Sequence, residues 1–202
     1  TLVFSEVDQP PVPSLLRGFS APVELRGLDA DEQLLHLLAH DSDPFNRWDA
    51  GQRLGVRIAL ENIASGADQV SARPLKDNYL QALRAVLRQP QLDPAFKALV
   101  LKLPDEDYIA DQLDVVDPQR IHAVRDAMQR QLATALRDDW QWAWEQHHDT
   151  GAYRPDPHSS GRRALAGLAL AMLCLAASEQ GDSVWPGKAY QRVKDAGNMT
   201  DR

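Results

Sequence analysis

The sequence predicts an all-α fold of stacked helix pairs, arranged either as a bundle or as an α-solenoid, with a short N-terminal β segment. Three observations carry this. From Asp29 onward apolar residues recur at helical spacing almost to the end of the 202-residue chain. An Asp-Pro pair recurs at Asp43-Pro44, Asp93-Pro94, Asp117-Pro118 and Asp156-Pro157; the carboxylate can accept orphan N–H groups while Pro supplies a preset φ at the first helical position. The loops between the resulting segments are mostly short, as expected of consecutive antiparallel helices.

The first segment, Thr1 to Leu28, is Pro-rich at Pro10-Pro11-Val12-Pro13 and reads as extended chain. Val23-Glu24-Leu25-Arg26 alternates with period two, which places Val23 and Leu25 on one face of a strand. One or two strands do not make a stable sheet, so residues 1–28 are expected to be the edge of a β-domain. The change of period sets a domain boundary, with 29–202 as the helical part.

Asp29 to His40 forms the first helix, with Leu34, Leu35, Leu37 and Leu38 on its apolar face and Asp31 and Glu32 in the first turn. Further helices are predicted at Phe45–Ala64, Lys76–Arg88, Ala95–Leu101, Glu106–Leu113, Gln119–His147, Gly161–Gln180 and Ser183–Ala196. At Asp156-Pro157, Ser159 and Ser160 offer a competing cap. Gly66, Gly151, Gly181 and Gly197 stand just past helices, where a left-handed residue is wanted. No strict internal repeat is present. Near the end, Thr200 followed by Asp201 reads as the start of a further helix.

Composition narrows the function classes. A net charge of −7 and the lack of a concentrated basic stripe argue against a nucleic-acid partner. A single cysteine, Cys174, rules out an intrachain disulfide and suits a reducing, cytoplasmic setting. Cys174 lies in the apolar run 164–177, where a thiol is expected as packing. That run is about fourteen residues long, too short for the ~20 that span a bilayer, and reads as a buried helix, so no membrane partner is expected.

Candidate chemistry reduces to a few groups. His36 and His40 share a helix face at a spacing that can hold zinc, but Leu37 follows His36 where the zinc-peptidase motif HExxH has its Glu. Surface histidines are the better reading. His147 and His148, with Asp149 and His158, can be assembled into a mixed site on paper, yet adjacent helical residues point about 100° apart. Trp140, Trp142 and Trp144 read as packing, with two buried on opposite sides of a sandwiched helix and the third touching a neighbouring domain. Asp138-Asp139 reads as solvent-facing. No phosphate loop, nucleophile elbow or Cys/His pair is found. No catalytic, cofactor-binding or metal residue is assigned.

Four stretches carry a family resemblance: Pro11-Val12-Pro13-Ser14-Leu15-Leu16-Arg17-Gly18-Phe19-Ser20-Ala21-Pro22-Val23, then Phe45-Asn46-Arg47-Trp48-Asp49-Ala50, then Val116-Asp117-Pro118 with Ile121 and Val124-Arg125, then Asn198-Met199-Thr200-Asp201. In these the chain resembles bacterial aminopeptidase N, over the end of its small β-sandwich domain (1–28) and the first part of its C-terminal helical domain (29–202). The resemblance implies a non-catalytic part of a zinc-dependent peptidase that removes N-terminal amino acids. The helical domain is then expected to be an α-solenoid of HEAT-like stacked helix pairs that covers an enclosed cavity and limits access to short peptides. The family's HExxH, amine-binding loop and tyrosine do not occur here, so zinc belongs to the parent enzyme and none to this chain. The implied partners are the catalytic and β domains of the same polypeptide and peptide substrates. An apolar patch at the C-terminal end, with self-association through it, is expected of an isolated piece. The alternative is an independent α-solenoid scaffold binding a protein or peptide.

Overall fold

A computed structural model describes residues 6–8, 10–21, 23, 30–66, 72–148 and 151–200. Among these the chain forms a 3-10 turn, Arg17–Phe19, and nine α-helices: α1 Asp31–His40, α2 Pro44–Ala64, α3 Asp77–Arg88, α4 Pro94–Val100, α5 Glu106–Ala110, α6 Pro118–Ala135, α7 Arg137–His147, α8 Pro157–Gln180 and α9 Val184–Asp195. There is no strand among the described residues. The alternation at 23–26 lies, apart from Val23, outside them, as do the expected domain boundary and Asp149.

The helix starts follow from capping. Asp43 accepts from the Asn46 N–H, Asp93 from Ala95 and Phe96, Asp117 from Arg120 and Asp156 from Ser159, and each is followed by Pro at the first helical position. The last resolves the competition: Ser159 donates its hydroxyl to Asp156 at 2.8 Å instead of capping, so α8 begins four residues before the expected Gly161. Gly66 (φ 75°) and Gly181 (φ 66°) take the left-handed conformation that closes α2 and α8. Gly151 and Gly197 do not; α7 and α9 end instead in extended residues, His148 and Ala196.

One expected element is corrected. Gln119–His147 is not one helix: it breaks at Leu136, whose φ of −110° and ψ of 25° leave the helical region. No Pro or Gly marks the break. Leu136 is fully buried, the Trp140 indole N–H reaches the Leu132 carbonyl at 3.4 Å, and Asp139 is drawn to α3 by Arg84 and Arg88. Tertiary contacts therefore set the direction of α7, overriding local propensity.

Packing is organised around two long helices. α2 touches α1, α4, α5 and α6, and α8 touches α4, α6, α7 and α9, so α4 and α6 lie between them. α3 illustrates how the pattern folds: Tyr79, Ala82, Leu83, Val86 and Leu87 make one buried stripe, each large side chain contributing roughly 1.5–3 kcal/mol by leaving water. α8 is long and apolar enough to cross a membrane by length and composition, but Leu165, Ala169, Leu173 and Ala176 are fully buried against its neighbours, as in a core helix. Its small residues permit close approach. A Cβ at Gly161 would stand 2.9 Å from the Ala95 backbone nitrogen of α4, and one at Gly55 of α2 2.7 Å from Pro104.

Buried polar groups lock these contacts. Arg47 donates to the Leu38 carbonyl at 3.0 Å, to the Ala39 carbonyl at 2.8 Å and to Gln89 at 3.0 Å, which sets a cation on the negative end of α1. Gln131 of α6 accepts from the Leu75 N–H at 2.8 Å, and Asn62 of α2 accepts from the Arg73 N–H at 2.7 Å, so both hold the segment entering α3.

Candidate functional site

The histidines singled out in the sequence are brought no closer to a metal centre. His36 and His40 sit with ring centroids 5.0 Å apart on α1, both exposed, and no group of three His, Cys, Asp or Glu able to hold a metal ion occurs among the described residues. His147 and His148 diverge: His147 meets the edge of Trp142 at 6.4 Å, while His148 stacks on Trp144 at 4.1 Å. His158 is exposed at the start of α8. These residues do not fit a zinc site of the peptidase type. Cys174 packs half-buried against the core, and burial pushes its thiol pKa up, so it is a poor nucleophile.

The tryptophans require a correction. Trp140 and Trp144 are buried, but they stand four residues apart on α7 and so share one face, about 40° apart. Trp142 is the third, and its ring carries the Arg88 guanidinium at 4.3 Å rather than facing solvent alone. Asp139 is likewise not solvent-facing: it is buried and receives Arg84 at 2.8 Å and Arg88 at 2.7 Å.

Two features were not read from the sequence. The first is an open groove of about 810 Å³ between the end of α7, the 151–153 connection, α8 and α9. Its walls are the Trp144 and Tyr153 rings, overlaid by Arg192 at 5.6 Å and Arg163 at 4.7 Å, with Lys188 and His147 at its margin. His147 is held neutral there: burial, with Lys97, Arg162 and His158 nearby, pushes its pKa down to about 4. Beyond the groove, α9 leaves Val184, Tyr190 and Val193 exposed.

The second is a latch between the first resemblance stretch and residues 41–46, where α2 begins. Arg17 donates to Asp41 at 2.8 Å, to Ser42 at 2.8 Å and to Ser14 at 2.9 Å; Asn46 donates to the Leu15 carbonyl at 2.9 Å and to Ser14 at 3.0 Å; the Gly18 N–H reaches Asp43 at 3.2 Å. Burial would raise the Asp41 pKa, but hydrogen bonds from the Asp43 N–H, Ser14 and Arg17 bring it below the ordinary carboxylate value. The latch holds Leu16 (φ 54°), Gly18 (φ 62°) and Phe19 (φ 56°) in the left-handed region, at a cost of order 1–3 kcal/mol for each non-glycine residue. Its bonds join positions too far apart for sequence spacing to reveal.

Residues 31–202 match the family model described as "Domain of unknown function (DUF3458_C) ARM repeats". The chain belongs to this ARM-repeat family. It is also similar to curated proteins named Aminopeptidase N. It is 34% identical to that of Escherichia coli over 201 residues, 100% of this chain and 22% of that protein. It is 36% identical to that of Caulobacter vibrioides over 82% of this chain and 19% of that protein, and 33% identical to that of Haemophilus influenzae over 95% and 21%. The chain therefore spans about a fifth of the length of these relatives. In fold it matches the crystal structure of Legionella pneumophila aminopeptidase A in complex with aspartic acid, with a TM-score of 0.80 at 23% identity over 98% of this chain and 23% of that one. Membership of the ARM-repeat family bears out the α-solenoid fold, and the matches over 82%, 95% and 100% of this chain bear out the resemblance to bacterial aminopeptidase N.

Proposed function

We propose that this chain is a non-catalytic part of an aminopeptidase N, the end of its β-sandwich domain (1–28) with the first part of its C-terminal helical domain (29–202). In this reading it covers the active-site cavity and restricts entry to short peptides. The whole enzyme would be a cytoplasmic, zinc-dependent peptidase removing N-terminal amino acids, with its zinc held by residues of the other domains. The single observation that carries the reading is that the chain aligns end to end with a segment amounting to 22% of Escherichia coli Aminopeptidase N. His36, followed by Leu37 and paired only with His40 on an exposed face, gives no support to a zinc site in this part.

The test is an aminoacyl chromogenic assay with metal analysis, run on the 202-residue chain and on the longer polypeptide that carries it. Turnover and zinc in the longer polypeptide, with neither in the chain, are expected. Zinc-dependent turnover by the chain, lost on His36→Ala, would overturn the reading. An independent scaffold is the second reading, favoured by the aromatic and cationic groove beside α9; tight binding of a peptide there, with no longer polypeptide in existence, would select it.

A further inference from the structure

The latch leaves large apolar side chains exposed. The Phe19 ring lies 4.6 Å from Phe45, which lies 5.7 Å from Trp48, yet Phe19 remains 74% exposed, Phe45 42% and neighbouring Leu15 43%. Scattered apolar residues on a surface are ordinary. Here the Phe19 and Phe45 rings are in contact, and Phe19 is held in place by left-handed backbone at Leu16 and Phe19, itself fixed by side chains from two separate segments. Strain that persists because its surroundings over-determine it marks functional surface, and within this chain the exposed ring gains little from it.

We propose that the Leu15–Phe19–Phe45 face is the seat for an apolar surface of the remainder of the aminopeptidase polypeptide, an inference that rests on the functional reading above. The chain corresponds to 22% of the length of Escherichia coli Aminopeptidase N, so most of that protein lies outside it. Both segments that build the face are the ones that carry the resemblance to that family. Charge is not what the face offers: Arg17 and Asp41 at its edge are engaged with each other. A second copy of this chain is a poor occupant, because three side chains fall well short of the roughly 1,200 Å² that a stable interface buries.

Hydroxyl-radical footprinting tests this on the 202-residue chain and on the longer polypeptide that carries it, with aminopeptidase activity measured separately. Labelling of Phe19 and Phe45 is expected to fall at least fivefold in the longer polypeptide. Phe19→Asp should leave the melting temperature of the 202-residue chain within a degree or two while lowering that of the longer one. Unchanged labelling in an active longer polypeptide would overturn the docking inference and leave the functional reading standing. Protection in an inactive polypeptide would do the reverse. Protection that appears in the 202-residue chain as its concentration rises would assign the face to a second copy, and a chain that occurs only by itself would overturn both.

Discussion

Arg88 of α3 donates to the buried carboxylate of Asp139 of α7 at 2.7 Å while its guanidinium plane lies over Trp142, one turn further along α7. Arg84 takes the other carboxylate oxygen, so one acidic side chain and two basic ones join helices that are some fifty residues apart in sequence. Asp139→Ala leaves both arginines without their acceptor. Because these are more than a third exposed, the loss is expected at about 1–3 kcal/mol rather than the larger penalty of a fully buried pair. Urea unfolding should show a lower midpoint with an unchanged slope; a midpoint equal to that of the parent chain would contradict the clamp.

Arg47 draws together the end of α1, the start of α2 and the end of α3 through three hydrogen bonds. Arg47→Lys keeps the charge but lacks the planar fork that reaches two carbonyls and an amide at once. It is expected to lose about 1–3 kcal/mol, and Arg47→Ala more. Equal stability of the Lys variant and the parent in urea titration would show that charge alone suffices.

Gly161 and Gly167 lie on the same helix, α8, and separate packing from propensity. Gly161→Ala must push α4 away and should cost about 1–3 kcal/mol. At Gly167 the nearest atom to a new Cβ is an Arg192 nitrogen at 3.9 Å, so Gly167→Ala should be neutral or stabilise by up to about 1 kcal/mol. Thermal melts of the two variants should move in opposite directions or differ clearly in size.

His147 predicts a pH dependence. Its folded pKa is pushed down to about 4, below the ordinary 6.5. Between those values the unfolded chain binds a proton that the folded chain does not, so stability from this group falls as pH is lowered through that window. His147→Asn removes the titration. The melting temperature of the variant should decline less than that of the parent between pH 6.5 and 4.5; parallel curves would refute it.

Local chemistry was legible in the sequence and long-range chemistry was not. The four Asp-Pro starts were readable because a cap involves only residues within one turn. The break at Leu136 was not, since the residues around it favour a helix and the bend comes from Asp139 and Trp140 meeting other parts of the fold. Asp139 looked exposed because nothing in its neighbourhood shows that Arg84 and Arg88 reach it. The latch escaped notice for the same reason: Arg17 and Asp41 lie in separate segments, and neither stretch reveals that they meet. The groove beside α9 depends on how three helices cross, which composition does not encode.

The Asp-Pro caps also set how this chain comes apart chemically. Hot dilute acid cleaves Asp-Pro bonds before others, because the aspartate carboxyl attacks its own carbonyl and the proline nitrogen departs readily. All four such bonds here stand directly ahead of a helix, so scission would release α2 with α3, α4 with α5, α6 with α7 and α8 with α9, each helix uncut. In the folded chain every one of those carboxylates is occupied by backbone N–H groups. Helix melting must therefore come before fragmentation, and the dipeptides that begin the helices are chemically guarded for as long as the helices last.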